Sequence, residues 1–186
     1  PVGQFSAVGY FYGRLLHPAL GVPIGLIDNA WGGSAAEAWV KRDVLEKDGR
    51  FDAYIKEWEN TEKTFDWDKM MADWKAKAAA AKEAGKPAPR APRNLLTGQH
   101  RPGNLWAGVL NPTIGYGIRG AIWYQGESNA SRYAAELYGM QLQLMIQDWR
   151  GRWNGEFPFL WVQLPNFRAP QKEPVETNGW VIVQEG

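Results

Sequence analysis

The sequence predicts an α/β fold, a parallel β-sheet with helices packed over both faces. Three observations carry this expectation. Apolar runs alternate with stretches of helical period along the chain. Those runs are continuous rather than alternating, as strands buried on both faces require, which favours a parallel sheet. Two of them end in polar, glycine-bearing turns, NAWGGS at 29–34 and QGESN at 125–129. In open α/β sheets, ligands sit beyond the carboxyl ends of the strands, so both turns are expected at one edge, where a site belongs.

Each element follows in order. FSAVGYFYGRLLHPALG (5–21) reads as a helix capped by Ser6, with Val8, Phe11, Tyr12, Leu15 and Leu16 at helical spacing and Gly21 and Pro23 as stops. PIGLID (23–28) reads as a short buried strand. After the NAWGGS turn a helix is expected near Ser34, with Glu37 completing a capping box. From Asp43 to about Gly85 the chain is charged and helix-prone, and KPAPRAPRN (86–94) is a proline-rich connector. Residues 45–104 therefore read as a helical insertion at the surface. GIRGAIWYQG carries the second strand. SRYAAELYGMQLQLMIQDWRGRW is the most regular helix, with Ala134, Leu137, Tyr138, Leu142, Met145 and Trp149 on one stripe. FPFLWVQL (157–164) is a third strand, RAPQKEPVETN a loop, and a further element starts at Trp180.

Composition narrows the function. The 186 residues are 45% hydrophobic and 22% charged, ordinary for one globular domain with its own core. With 21 Lys and Arg against 20 Asp and Glu, net charge argues for neither nucleic acid nor an anionic membrane as partner. No stretch approaches the roughly 20 apolar residues that span a bilayer. Cysteine is absent, which excludes disulfides and thiolate metal sites. The histidines, His17 and His100, lack metal-ligand spacing. His17, near a helix end, reads as a dipole partner, and no metal or cofactor is expected. The 11 Trp raise the prospect of a sugar ligand, since indole faces stack on sugar rings. Trp58, Trp67 and Trp74 are expected to pack the insertion, and the Lys/Arg-rich 75–93 segment to be a solvated face. The chain starts at Pro1, shows no signal peptide and ends in the apolar GWVIVQEG, so it reads as the middle of a longer protein.

The two turns carry the chemistry. In NAWGGS, Gly32 and Gly33 allow close backbone approach and present N–H groups to an anion; the alternative is a plain strand-to-helix turn. In QGESN, Gln125 is a neutral donor suited to an oxygen gaining charge, and Glu127 an acceptor that orients a neighbour; the alternative is that Glu127 and Asn129 cap the next helix. Gly126 to Ala130 also comes near the G-x-S-x-G nucleophile elbow, with Ser128 as nucleophile, but neither histidine lies downstream as that triad order demands.

Taken together, FSAVGYFYGRLL, PIGLIDNAWGGSAAEAW, GAIWYQGESNA, IQDWR and FPFLWVQLPNF resemble the sialate O-acetylesterases of the SGNH (GDSL-type) hydrolase superfamily. The resemblance covers most of the chain outside about 45–104. It implies a three-layer α/β/α flavodoxin-like sheet and serine-dependent ester hydrolysis. It also implies a nucleophile in an upstream Gly-Gln-Ser-Asn block and an Asp-x-x-His block downstream, neither present here: Gly3-Gln4 is followed by Phe5 before Ser6. Carried over, Gly33 and Gln125 supply oxyanion donors and Glu127 braces the site. Gly32, Asn129 and Trp31 are candidate substrate-binding residues. Trp106 and Ala107 stand where the family commonly has a Tyr-Asn pair, so a polar role there is lost or moved to Asn111. The expected ligand is an acetylated carbohydrate, sialic acid or another sugar, and the family implies a secreted or periplasmic protein. Two alternatives remain at this point: an α/β-hydrolase using Ser128, and a non-catalytic carbohydrate-binding module using the Trp residues.

Overall fold

The structure, a computed structural model, describes residues 3–130, 133–167 and 178–186. Helix α1 (Ala7–Leu20) starts where Ser6 Oγ accepts from Gly9 N and ends at left-handed Gly21 (φ 65°). The expected strand at 23–28 does not form. Leu26 and Ile27 stay exposed. A strand is held by a ladder to a neighbour, and no described segment pairs with these residues. They fold back on α1 instead, with Leu26 over Gly13 and the Ser6 amide donating to Asp28 (3.0 Å).

The expected helix at Ser34 is only a 3-10 turn, Ala36–Trp39, and there is no capping box: its N-cap residue is Ala35, and neither Ser34 nor Glu37 caps it. Ser34 Oγ accepts instead from the Trp39 indole (2.9 Å), and Glu37 turns inward. Three helices follow, α2 (Arg42–Glu46), α3 (Asp52–Thr64) and α4 (Trp67–Glu83). The surface position expected for this region applies to α4, which buries no residue. Leu45, Phe51, Tyr54, Ile55 and Trp58 instead join the main core. Glu62 on α3 receives hydrogen bonds from both Arg42 and Arg101, tying the two ends of the region together.

Strand β1 (Ala121–Trp123) leads through the short helix α5 (Glu127–Ala130) to α6 (Tyr138–Trp153), then to β2 (Phe159–Trp161). The strands pair in parallel, Ala121 with Phe159 and Trp123 with Trp161. This is the β-α-β crossover that parallel pairing needs. On α6, Tyr138, Leu142, Met145 and Trp149 are buried as the stripe predicts; the side chain of Ala134 lies outside the described residues. Left-handed Asn154 ends the helix. Trp39, Trp123, Trp149 and Phe159 form the centre of the core, with successive ring centroids 6.0, 6.0 and 5.7 Å apart. Leu160, Trp161 and Val162 are exposed, so β2 is covered only at its start and not along its length as expected. The element expected near Trp180 is helix α7 (Gly179–Glu185), capped by Asn178. The preceding loop, 168–177, lies outside the described residues. No helix among them is long and apolar enough to cross a membrane.

Candidate active site

The NAWGGS and QGESN turns meet, although they are some 90 residues apart in sequence. Gln125 Nε2 donates to the Ser34 carbonyl (2.9 Å) and Ser128 Oγ to the Gly33 carbonyl (3.0 Å). Local geometry makes both glycines necessary. Gly33 has φ 68°, a left-handed conformation costly for other residues. Gly126 has φ 151°, and a Cβ there would lie 2.8 Å from Val183 Cγ1 and 3.0 Å from Leu164 Cδ1.

Asn129 holds the two turns together from beneath. It is 0% exposed. Its Oδ1 accepts from the Ala36 amide (3.0 Å) and from Gln125 Nε2 (2.8 Å). Its Nδ2 donates to Glu37 Oε2 (3.1 Å) and to Gln141 Oε1 (3.3 Å). The side-chain amide thus fills all four of its hydrogen-bonding capacities inside the protein. Backing this, the Tyr138 hydroxyl donates to the Gln125 carbonyl (2.8 Å) and accepts from the Trp123 indole (3.2 Å). Burial pushes the Tyr138 hydroxyl up to about 12; the Trp123 hydrogen bond opposes the shift, while the charges of Glu127 and Glu37 add to it. Tyr138 therefore stays a neutral donor at any ordinary pH. A cavity of about 280 Å³ lies beside Gln125 and Tyr138, bounded by Leu164, Val183 and Gln184.

The site residues expected from sequence separate into three groups. Gly32 and Gly33 are exposed, and their amides donate to no described group, so they face solvent as ready donors. Trp31 stands beside them, 54% exposed. Gln125 is at the turn, and both its amide hydrogens are engaged, one by the Ser34 carbonyl and one by Asn129 Oδ1. Asn129, expected to bind substrate, is buried structure instead, because the inward-facing side of the short helix α5 points it into the core. Glu127 is exposed and has no described hydrogen-bond partner; bracing falls to Asn129.

Ser128 lacks the strained backbone of a nucleophile elbow, since the only non-glycine residue with positive φ among those described is Asn154. His17 Nδ1 donates to the Val22 carbonyl (2.8 Å) just past the end of α1. His100 is half-buried, in the turns between α4 and β1. No described group of three or more His, Asp or Glu could hold a metal ion. Of the 11 Trp, Trp39, Trp58, Trp106, Trp123 and Trp149 are buried in the core, Trp67, Trp74, Trp153 and Trp180 are half-buried, and Trp31 and Trp161 are exposed.

The sequence reading missed Glu37, Gln141 and Tyr138 as site supports. Gln141 carried a signal, a polar residue on the inward stripe of α6. Glu37 carried a misleading one, since its spacing from Ser34 fits a capping box.

Residues 109–183 match the family described as carbohydrate esterase, sialic acid-specific acetylesterase. The chain is 32% identical over 174 residues to the sialate O-acetylesterase of Mus musculus, covering 87% of this chain and 30% of that protein. It is 30% identical over 167 residues to the human sialate O-acetylesterase, covering 86% and 25%. A carbohydrate acetylesterase from Xanthomonas citri superposes with TM-score 0.65 and 30% identity, over 98% of this chain and 32% of that one. The chain thus spans about a third or less of these relatives' length. By sequence and by its α/β fold, it is a relative of the sialate O-acetylesterases and of carbohydrate acetylesterases.

Proposed function

We propose that these residues form part of an SGNH hydrolase domain in an exported carbohydrate O-acetylesterase, and that they supply its oxyanion hole. The observation that carries this is the meeting of the two turns, which leaves the Gly33 amide exposed and undonated next to the Gln125 side chain. Ester hydrolysis concentrates negative charge on one oxygen, and preorganised N–H donors aimed at it lower the barrier. Gly33 donates through its backbone. Gln125 donates by releasing the Ser34 carbonyl, while Asn129 and Tyr138 fix its place. In this reading the nucleophilic serine and its His-Asp pair lie in further blocks of a longer protein. The serine attacks the acetyl carbonyl, the histidine takes and returns the proton, and water releases acetate. Residues 45–104 are an insertion on that domain, and Trp31 and Gly32 line the sugar side.

The test is acetate release from an aryl acetate and an acetylated sugar by the longer protein carrying this segment. Gln125→Ala is expected to lose about 100-fold or more in kcat, while Ser128→Ala remains active. A folded Ser128→Ala protein with no turnover, or a fully active Gln125→Ala, overturns the reading. The 186-residue chain alone is expected to show no serine-dependent turnover.

A further inference from the structure

The chain's positive charge is concentrated in one place. Residues 75–93 hold Lys75, Lys77, Lys82, Lys86, Arg90 and Arg93 against a single acidic residue, Glu83. The segment carries +5 and the remainder of the chain −4, at a net charge of +1. All six cations are exposed, and none forms an ion pair among the described residues. Elsewhere, Arg42, Arg101, Arg150 and Arg152 each sit against a carboxylate, and the exposed cations without a described ion pair, Arg14, Lys56, Lys63, Lys69 and Arg119, are scattered along the chain rather than clustered.

These cations ride on a fixed support. Asp66 caps α4 by accepting from the Lys69 amide (2.9 Å). The Trp74 indole donates to the Pro89 carbonyl (2.9 Å), pinning the proline-rich return segment against the helix. Proline holds that segment extended, so little order has to be gained on binding. At its base the hairpin runs into the candidate site. The Ala35 amide donates to the Gln99 carbonyl (3.1 Å), and Gln99 Nε2 would lie 3.9 Å from a Cβ at Gly33.

We propose that this hairpin is a docking surface for an acidic polysaccharide, a carboxylated glycan whose chain runs from the hairpin to the Gly33 turn. The inference rests on the carbohydrate esterase reading for the polymer being a glycan, and on the charge distribution for its being acidic. Lysine ammoniums act as point charges without the fixed geometry of a guanidinium fork. They suit a polymer whose carboxylates can slide past them. The negative remainder of the body repels the same polymer and confines it to the hairpin.

The test is a binding titration of the chain with unacetylated polygalacturonate, neutral xylan and duplex DNA. It is compared with a variant carrying K75Q, K82Q, K86Q, R90Q and R93Q, whose circular dichroism confirms folding. Polygalacturonate is expected to bind about tenfold or more tightly than xylan, and the variant to lose a similar factor, as several exposed charge contacts add. Binding should vanish in about 0.5 M salt, where charges are screened. An unchanged variant, equal binding of xylan, or DNA binding as tightly as polygalacturonate overturns the proposal. Polygalacturonate binding without acetate release from the longer protein leaves the docking surface standing and sinks the esterase reading. Acetate release with charge-independent glycan binding does the reverse.

Discussion

At Asn129 every hydrogen-bonding capacity is filled inside the protein, whereas along residues 75–93 six cations face solvent with no ion pair among the described residues. The two regions are neighbours through Gln99, yet they use polar residues oppositely. Around Asn129 the polar groups are buried and, apart from Glu37 Oε1, Gln125 Oε1 and Gln141 Nε2, which find no partner among the described residues, they pair, because an unpaired buried donor or acceptor forfeits its full hydration. That requirement fixes the relative position of two turns distant in sequence. On the hairpin, water serves every charge, so the cations constrain nothing in the fold and are free for a ligand. Precision at the site and availability at the surface thus come from the same residue classes placed at different depths.

The contrast can be broken most severely at its buried end. Asn129→Leu leaves the Ala36 amide, the Gln125 amide, the Glu37 carboxylate and the Gln141 carbonyl without their partner. It is expected to cost about 4 kcal/mol in urea unfolding; a loss under about 1 kcal/mol would show that the two turns are held by something else. Asn129→Asp sets a second carboxyl against Glu37, which raises its folded-state proton affinity. The variant should therefore regain stability as pH falls.

Gly126→Ala comes next. Its Cβ meets Val183 and Leu164 at a positive φ, and about 2–3 kcal/mol is expected from thermal unfolding. Melting within a degree of the parent would mean that α7 gives way without cost.

Glu62→Gln sharpens the comparison, because it tests a partly exposed charge that does have partners. Burial disfavours the Glu62 carboxylate, but hydrogen bonds and charge from Arg42 and Arg101 outweigh this and hold it below the usual range. A depressed folded-state value stabilises the protein above the ordinary glutamate pKa of about 4.3. That stability is lost as pH falls through the folded-state value. The substitution should cost about 1 kcal/mol at neutral pH, and the gap to the parent should close in acid. A pH-independent gap contradicts an ionic origin. Smallest of all, Lys77→Gln on the hairpin should change stability by less than about 0.5 kcal/mol. A larger shift in chemical denaturation would mean that the cations do structural work.

Much of the site was legible because its signals are local. Positive φ at Gly33 and a sharp turn at Gly126 need glycine whatever surrounds them, and the capping of α1 by Ser6 depends on a few adjacent atoms. The apolar stripe of α6 identified its buried face for the same reason. The failures lie where a residue's role depends on a distant neighbour. Residues 23–28 have the composition of a strand, but strand formation requires a partner ladder, and none pairs with them here. Ser34 and Glu37 have the spacing of a capping box, but Glu37 is drawn inward by Asn129, 92 positions away. Asn129 and Glu127 were expected to serve the ligand and the site; the depth of the α5 faces sends one into the core and the other to solvent. The sequence by itself determined the α/β character, the glycine turns and the Lys/Arg-rich solvated face at 75–93, all set by covalent geometry, periodicity and charge count. Only the tertiary structure decided which polar side chains are buried and paired, because hydrogen bonds between chain-distant groups form only after packing has brought them out of water.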